Sequence, residues 1–261
     1  MQKIKEEFNK IGWFIPPYIP LGKITRTFFK IGNIDNFHQD DLELILGELY
    51  TPSFLSLMLI ERYSKLNNTK EYKLNFDKDS IIKESIEAHF LGLNYVAISG
   101  LLPVIEGVIH NLIKNFNIEI KPKKNQGKIG VKDKVSEIIR FCINTKIGKL
   151  DETEPMLESF LYYIENYLFI KSTEYTLDDK TNRHGILHGE FSDKDYGKKI
   201  NFYKVISVLN MLCIIASYKE SFSWLSPDNS KESMLFQLYL YQLIEINNSN
   251  IKINQLFHSL S

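Results

Sequence analysis

Apolar residues recur every three or four positions along most of the chain, which is the spacing of helices that bury one face. Helical patterns cover residues 2–11, 38–50, 52–66, 77–91, 93–116, 132–147, 154–170, 201–222 and 231–246. Alternation of apolar and polar residues, the sign of a half-buried strand, does not persist for more than a few positions. The pattern therefore predicts an all-α fold in which antiparallel helices form a bundle.

The pattern also divides the chain near residue 78. Residues 1–78 are predicted to form a helical N-terminal region, and residues 79–261 the main helical bundle. Within the first region, Gly12 to Pro20 contains three prolines, which exclude a helix and favour an extended, aromatic-rich segment. We expect this segment to pack its aromatic side chains onto the body, with a stacking or peptide-docking surface as the alternative.

Composition sets limits on location and partners. The chain has 261 residues, 44% hydrophobic and 25% charged, with a formal net charge of zero, so only local patches could attract RNA. Cys142 and Cys213 lie in apolar runs and are predicted to be core residues in a reducing compartment. We find no uninterrupted apolar run of the roughly 18–20 residues that span a membrane and no secretion signal. We therefore expect a cytoplasmic protein without a membrane partner.

One polar stretch, Thr181 to Glu190, stands out between two apolar helical runs. It holds two of the six histidines and one of only four arginines in the chain. Thr181 or Asn182 is predicted to cap a helix that begins here. His184 and His188 would then lie one turn apart on one face. Gly185 and Gly189 would form a neighbouring strip without side chains, where a backbone or a ligand could approach closely.

The string NRHGILHG resembles the catalytic signature of the HEPN superfamily, an arginine and a histidine separated by four residues with a polar residue after the arginine. Many members are RNases of bacterial toxin–antitoxin, abortive-infection and antiphage systems. The resemblance implies that His188 is an acid or base, that Arg183 stabilises charge, and that His184 and Asn182 assist. It also implies a homodimer with one composite cleft, an RNA substrate and a possible antitoxin partner.

These residue types suit metal-free RNA cleavage, which needs no cofactor. Histidine transfers protons near neutral pH, and a preorganised arginine supports phosphoryl charge. On an ideal helix, however, Arg183 and His188 point about 140° apart. Groups from two chains would converge more easily than groups from one.

Two acidic residues are candidate supports for the motif. Glu106 is the lone acid in the longest apolar run, and a buried carboxylate is usually paired. It either orients the Arg183 guanidinium or lies on an exposed helix edge. Glu190, at the end of the motif, is the second candidate.

A lysine-rich loop over residues 119–132 could contact RNA. Within it, Lys123, Lys124 and Lys128 are the predicted phosphate-contacting residues. The alternative is a solvated face with no partner.

Two other functions compete with the ribonuclease. One is a non-catalytic HEPN-like module that binds RNA, a nucleotide or a protein, including an immunity-type protein. The other is a metal site at His184 and His188, although Gly185 stands where the expected glutamate would be and only Glu190 offers a third ligand.

Overall fold

The computed structural model describes residues 1–32, 39–64, 79–120, 129–145, 153–217 and 227–260. These residues form twelve α-helices and contain no strand, so the predicted all-α class is confirmed. The helices are α1 Gln2–Lys10, α2 Leu21–Gly32, α3 Gln39–Gly47, α4 Pro52–Leu57, α5 Asp79–Phe90, α6 Asn94–Asn115, α7 Val131–Asn144, α8 Thr153–Tyr163, α9 Arg183–Leu187, α10 Asp193–Tyr196, α11 Lys199–Ser217 and α12 Lys231–Leu260. π-Helical turns extend α4 over Met58–Tyr63 and α8 over Ile164–Leu168.

Helix α11 lies at the centre of the fold. Every residue from Ile200 to Ser217 is buried, and the helix packs against α6 and α3. Helix α6 also packs against α5 and α7. Helix α7 packs against α8, and α8 packs against α1. A helix that is apolar on all sides needs neighbours on all sides. The other helices therefore surround α11, and both predicted core cysteines are buried.

Polar side chains of α11 connect it to the N-terminal region. The Tyr50 hydroxyl pairs with Ser207, and the Tyr63 hydroxyl donates to Asn210. One cluster of buried apolar residues extends from Phe8 in α1 to residues of α12. The two predicted regions thus share a core. Their boundary at residue 78 lies outside the described residues, and the division into two domains stays a prediction.

The proline-rich segment between α1 and α2 packs inward, as expected. Trp13, Phe14 and Ile15 are completely buried. The Phe14 ring lies 4.9 Å from the ring centroid of Phe160 and 5.2 Å from that of Tyr163. These contacts confirm the segment as part of the core, because its aromatic side chains fill the space between α1 and α8.

Three helices differ from the sequence prediction, and the shortest of them, α10 over Asp193–Tyr196, lies in a hydrophilic stretch outside every predicted helix. Helix α2 was not predicted, although its buried residues Ile24, Thr27 and Ile31 have helical spacing. Helix α12 was predicted to end at residue 246 but continues to Leu260. Residues 247–250 are asparagine and serine, which are weak helix formers, so the pattern fades before the helix does.

Helices α6 and α11 are each long and apolar enough to span a bilayer. Their mean hydropathies are 1.7 and 1.6, and the apolar stretch is 50% buried in α6 and 100% buried in α11. The bent pair α3 and α4 would add a third span if it were counted as one. Helices apolar on all sides are typical of protein cores and of membrane spans, so the expected lack of a membrane partner stays a prediction.

His89, at the end of α5, is a buried neutral histidine. Its ring stacks on Phe202 with centroids 3.9 Å apart, and Nδ1 donates to Oδ1 of Asn94 at 2.6 Å. Burial lowers the pKa of His89 to about 3, and the bond to Asn94 only partly opposes this shift.

We predict that His89 makes the protein less stable as the pH falls from 6.5 toward 3. An unfolded histidine has a pKa of about 6.5, so in this window the unfolded chain binds a proton that the folded chain excludes. The free energy of unfolding should fall by up to about 1.4 kcal/mol per pH unit from this residue. Urea unfolding between pH 6.5 and 4.5 should show a shallower decline for His89→Gln than for the wild type. Parallel declines would contradict the assignment.

Candidate active site

The loop that leads into the motif is held by a buried ion pair. The Asp179 carboxylate contacts the Lys204 ammonium from α11, and these side chains are only 6% and 1% exposed. Tyr175 donates its hydroxyl to the same carboxylate, and the backbone N–H of Thr181 donates to it at 2.9 Å. The central helix therefore fixes the chain immediately before Arg183.

The surroundings of Asp179 keep it ionised. Burial by itself raises the pKa of this carboxyl, but the Lys204 ammonium and the Tyr175 hydroxyl outweigh burial and hold it below its usual value. Asn201 closes the network, because its amide nitrogen donates to the Asp179 carbonyl and its Oδ1 accepts from the Thr181 hydroxyl at 2.8 Å. A buried charge with this many partners is tolerated, whereas an unpaired one is not.

Asn182 caps α9, which confirms the predicted helix start. Its Oδ1 accepts from the Gly185 N–H at 2.9 Å, and its Nδ2 donates to the carbonyls of Tyr167 and Ile170 at 2.9 and 3.1 Å. The side chain is completely buried. We therefore correct its assignment from an auxiliary catalytic group to a positioning residue, since all three bonds hold backbone in place.

The motif helix ends just before His188. The backbone N–H of Phe191 returns to the Gly185 carbonyl at 3.0 Å, and Gly189 adopts a φ of +71°, which favours glycine. This reversal lays the Phe191 ring over Gly185, where a Cβ would lie 2.3 Å from the ring. The predicted bare strip is therefore wrong at Gly185, because a side chain of the same chain already covers it.

Arg183 and the two histidines meet within one chain. Nη1 of Arg183 lies 3.4 Å from Nδ1 of His184 and 3.4 Å from Nε2 of His188. The two imidazoles face each other with centroids 5.7 Å apart and planes at 18°. His188 is the C-cap of α9, and its backbone N–H still donates to the His184 carbonyl at 3.0 Å, so its backbone keeps a helical position. An ideal helix would point Arg183 and His188 about 140° apart, but their side chains meet, and one chain is enough to assemble the group.

The contacts with Arg183 bear on the tautomers of the two neutral imidazoles. A guanidinium can only donate, so Nδ1 of His184 and Nε2 of His188 must carry lone pairs. Burial, and then the charges of Arg183 and His188, lower the pKa of His184, while Glu106 and Glu190 oppose the shift. His184 is consequently a neutral, half-buried base at pH 7. The ring of His188 is exposed and open to solvent.

Glu106 is the carboxylate partner of Arg183. It projects from α6, and its Oε1 accepts from Nε of Arg183, with 19% of the arginine and 26% of the glutamate side chain exposed. The predicted pair is confirmed, and the alternative of an unpaired helix edge is wrong. Glu190 is exposed and accepts from the Ser172 hydroxyl. Its charge opposes the lowered pKa of His184, and its backbone N–H donates to the Gly185 carbonyl at 2.9 Å.

The lysine-rich loop and the metal site are the two remaining candidates. Lys123, Lys124 and Lys128 fall outside the described residues, so the phosphate-contacting arm stays a prediction. Across the described ranges, no cluster of three or more His, Cys, Asp or Glu side chains is placed to hold a metal ion. The metal-site interpretation of His184 and His188 therefore gains no third ligand from that part of the chain.

The Asp179–Lys204 pair was missed by the sequence interpretation, although the sequence holds a signal for it. Lys204 lies in one of the most apolar stretches of the chain. A charged residue in such a run is paired when it is buried, which is the argument that identified Glu106. Phe191 gives no comparable signal, because its contact with Gly185 depends on the turn after His188.

Comparison with known proteins adds no relative: no protein-family model, curated protein or solved structure matches the chain. The site is thus characterised by its own geometry. It joins one half-buried arginine to two imidazoles on one side and to a carboxylate on the other.

We predict that the buried pair controls the stability of the whole fold. Lys204→Met leaves the Asp179 carboxylate buried without its charge partner, which should lower the free energy of unfolding by about 3–5 kcal/mol. The matched control is Lys5→Met, which removes a more exposed pair with Glu158, 2.7 Å apart, and should cost at most about 1 kcal/mol. Urea unfolding measures both values.

A second variant separates charge from volume. Lys204→Met combined with Asp179→Asn removes both charges and should recover part of the loss. Equal and small effects of Lys204→Met and Lys5→Met would show that the pair does not anchor the loop.

Proposed function

We propose that this protein is an endoribonuclease that cleaves RNA through attack of the RNA's own 2′-OH, without a metal ion or other cofactor. The proposal depends on one observation, the contact of Nη1 of Arg183 with both His184 and His188 at 3.4 Å. Such cleavage needs a base, an acid and a cation that stabilises phosphoryl charge. The three side chains supply this set, and the resemblance to the HEPN superfamily supports the roles of Arg183 and His188.

The proton transfers follow from the environments of the two imidazoles. Neutral His184 takes the proton of the 2′-OH at Nδ1 once this atom leaves its contact with Nη1 of Arg183; the O2′–P bond forms, and the P–O5′ bond breaks. His188, in its protonated form, gives a proton to the leaving 5′ oxygen. The products are a 2′,3′-cyclic phosphate and a 5′-hydroxyl end, and solvent restores both histidines.

Arg183 links proton transfer to charge stabilisation. A protonated His188 can no longer accept a hydrogen bond from Nη1. One N–H of Nη1 is then free to donate to a phosphoryl oxygen while His188 serves as the acid. Among the described residues, no group bonds Nη2. Glu106 accepts from Nε, so the Nη1 and Nη2 groups of the guanidinium are oriented before RNA binds. This prior orientation is the condition for preorganised charge stabilisation.

A second function is favoured by the same ion pair. Because Arg183 is half-buried and bound to Glu106, it also suits a structural link between α9 and α6. The protein would then be a non-catalytic HEPN-like module that binds RNA, a nucleotide or a protein, including an immunity-type protein.

Partners and location belong to the proposal as well. From the resemblance we propose a second copy of the chain, a possible antitoxin and a role in bacterial defence. We place the protein in the cytoplasm because the apolar stretch of α11 is completely buried inside the protein and includes the charged Lys204, which would be costly within a membrane span.

Arg183→Lys should abolish most RNA cleavage and leave the fold intact. Lysine keeps the charge but loses the planar fork that reaches two imidazoles and the phosphoryl oxygens. Cleavage should fall by about 100-fold or more, with the melting temperature unchanged. Both quantities are measured on one sample, and Arg140→Lys serves as a control, since this exposed arginine pairs with Glu137 and Glu165 at 2.8 and 3.1 Å.

The outcomes separate the two functions. Loss of cleavage in Arg183→Lys, matched by His188→Ala, supports the ribonuclease. Normal cleavage with a lowered melting temperature would make Arg183 a structural residue and overturn the mechanism. Absence of cleavage in the wild type, with RNA still bound, would favour the non-catalytic module.

A further inference from the structure

A cleft between α6 and α7 adjoins the site. Its volume is about 470 Å³, and its lining includes Glu106, Gly107 and His110 from α6 and Val131 and Lys134 from α7. This volume lies within the roughly 300–1,000 Å³ of small-ligand pockets. Glu106 belongs to both sites, because it lines the cleft and holds the Arg183 guanidinium.

We propose that this cleft binds the nucleotide next to the scissile phosphodiester of a single-stranded RNA. The class of ligand rests on the proposed function. The position follows from Glu106, since an RNA whose phosphate reaches Arg183 brings its neighbouring nucleotide to the mouth of the cleft. The cleft would thus bind a nucleotide beside Arg183 and the two catalytic histidines.

The wall of the cleft formed by α6 suits a flat base. A Cβ built at Gly107 meets nothing within 4 Å, so the helix presents open backbone at this point. Val131 adds apolar surface. The exposed ring of His110, three residues beyond Gly107, offers a face for stacking, and stacking on aromatic rings is the usual way in which proteins hold unpaired bases.

The charges around the cleft suit a phosphate. Lys134 lies on its rim. Burial, and then the charges of Lys114 and Lys134, lower the pKa of His110. Two ammonium groups therefore act electrostatically on His110 at the cleft, while its imidazole is neutral at pH 7 and exposed for stacking. Cationic groups beside a stacking surface are the pattern of single-strand binding.

Filling the cleft tests the proposal. Gly107→Leu adds a side chain whose Cβ meets no protein atom within 4 Å, so it should fill the cleft and weaken binding of a fluorescein-labelled single-stranded RNA by at least about tenfold, the effect of losing one stacked base. Fluorescence anisotropy is measured in a His188→Ala background, which prevents cleavage. The matched control is Gly22→Leu, because Gly22 has equally open space in α2, which packs on α1 and α3.

Charge is tested separately from shape. Lys134→Gln should reduce the slope of log Kd against log salt by about 0.7, the value for one phosphate contact on a single strand. Lys252→Gln, an exposed lysine on α12, should leave the slope unchanged.

The outcomes distinguish this proposal from the proposed function. Weaker RNA binding by Gly107→Leu supports the cleft even if the wild type cuts no RNA, which would refute only the ribonuclease. Equal RNA binding by Gly107→Leu and Gly22→Leu, with cleavage intact in the wild type, overturns the cleft and leaves the ribonuclease standing. Failure of His188→Ala to bind RNA at all overturns the cleft proposal.

Discussion

The buried ion pair between Asp179 and Lys204 is the constraint on which the candidate site depends. Two opposite charges in the interior are stable only when hydrogen bonds complete their coordination. Tyr175 and Thr181 do this for the carboxylate, and the ammonium also donates to the carbonyl of Ile11 at 3.5 Å. One lysine on the central helix therefore ties together the N-terminal region and the loop that begins the motif.

The rest of the site follows from short-range geometry. Helix α9 has only five residues, too few to be stable by themselves. The Asn182 cap holds its start, Glu106 holds Arg183 from α6, and the turn at Gly189 brings the chain back after His188. Tertiary contacts thus place the arginine and both imidazoles together within a single chain.

Features of the fold and of the site that depend on a local sequence pattern could be predicted from the sequence. The all-α class, the Asn182 cap and the Glu106–Arg183 pair came from helical spacing, a capping residue and a lone acid in an apolar run. The convergence of His188 with Arg183 was not predictable in this way, because it depends on side-chain conformations and on the contact of Arg183 with Glu106 from another helix. The contact between Phe191 and Gly185 depends on the turn after His188, which no pattern in a short window indicates. The buried pairing of Lys204 could have been predicted, because Lys204, like Glu106, is a charged residue within an apolar run.

The most direct test of the account is the chemistry of the RNA ends that the protein produces in the presence of EDTA. Mass spectrometry of the fragments of a defined oligonucleotide should find 2′,3′-cyclic phosphates and 5′-hydroxyls, because the attacking group is the 2′-OH. A 2′-O-methyl group at the cleaved position should block the reaction there. Fragments with 3′-hydroxyl and 5′-phosphate ends, or cleavage at the 2′-O-methyl position, would contradict the mechanism proposed for Arg183, His184 and His188.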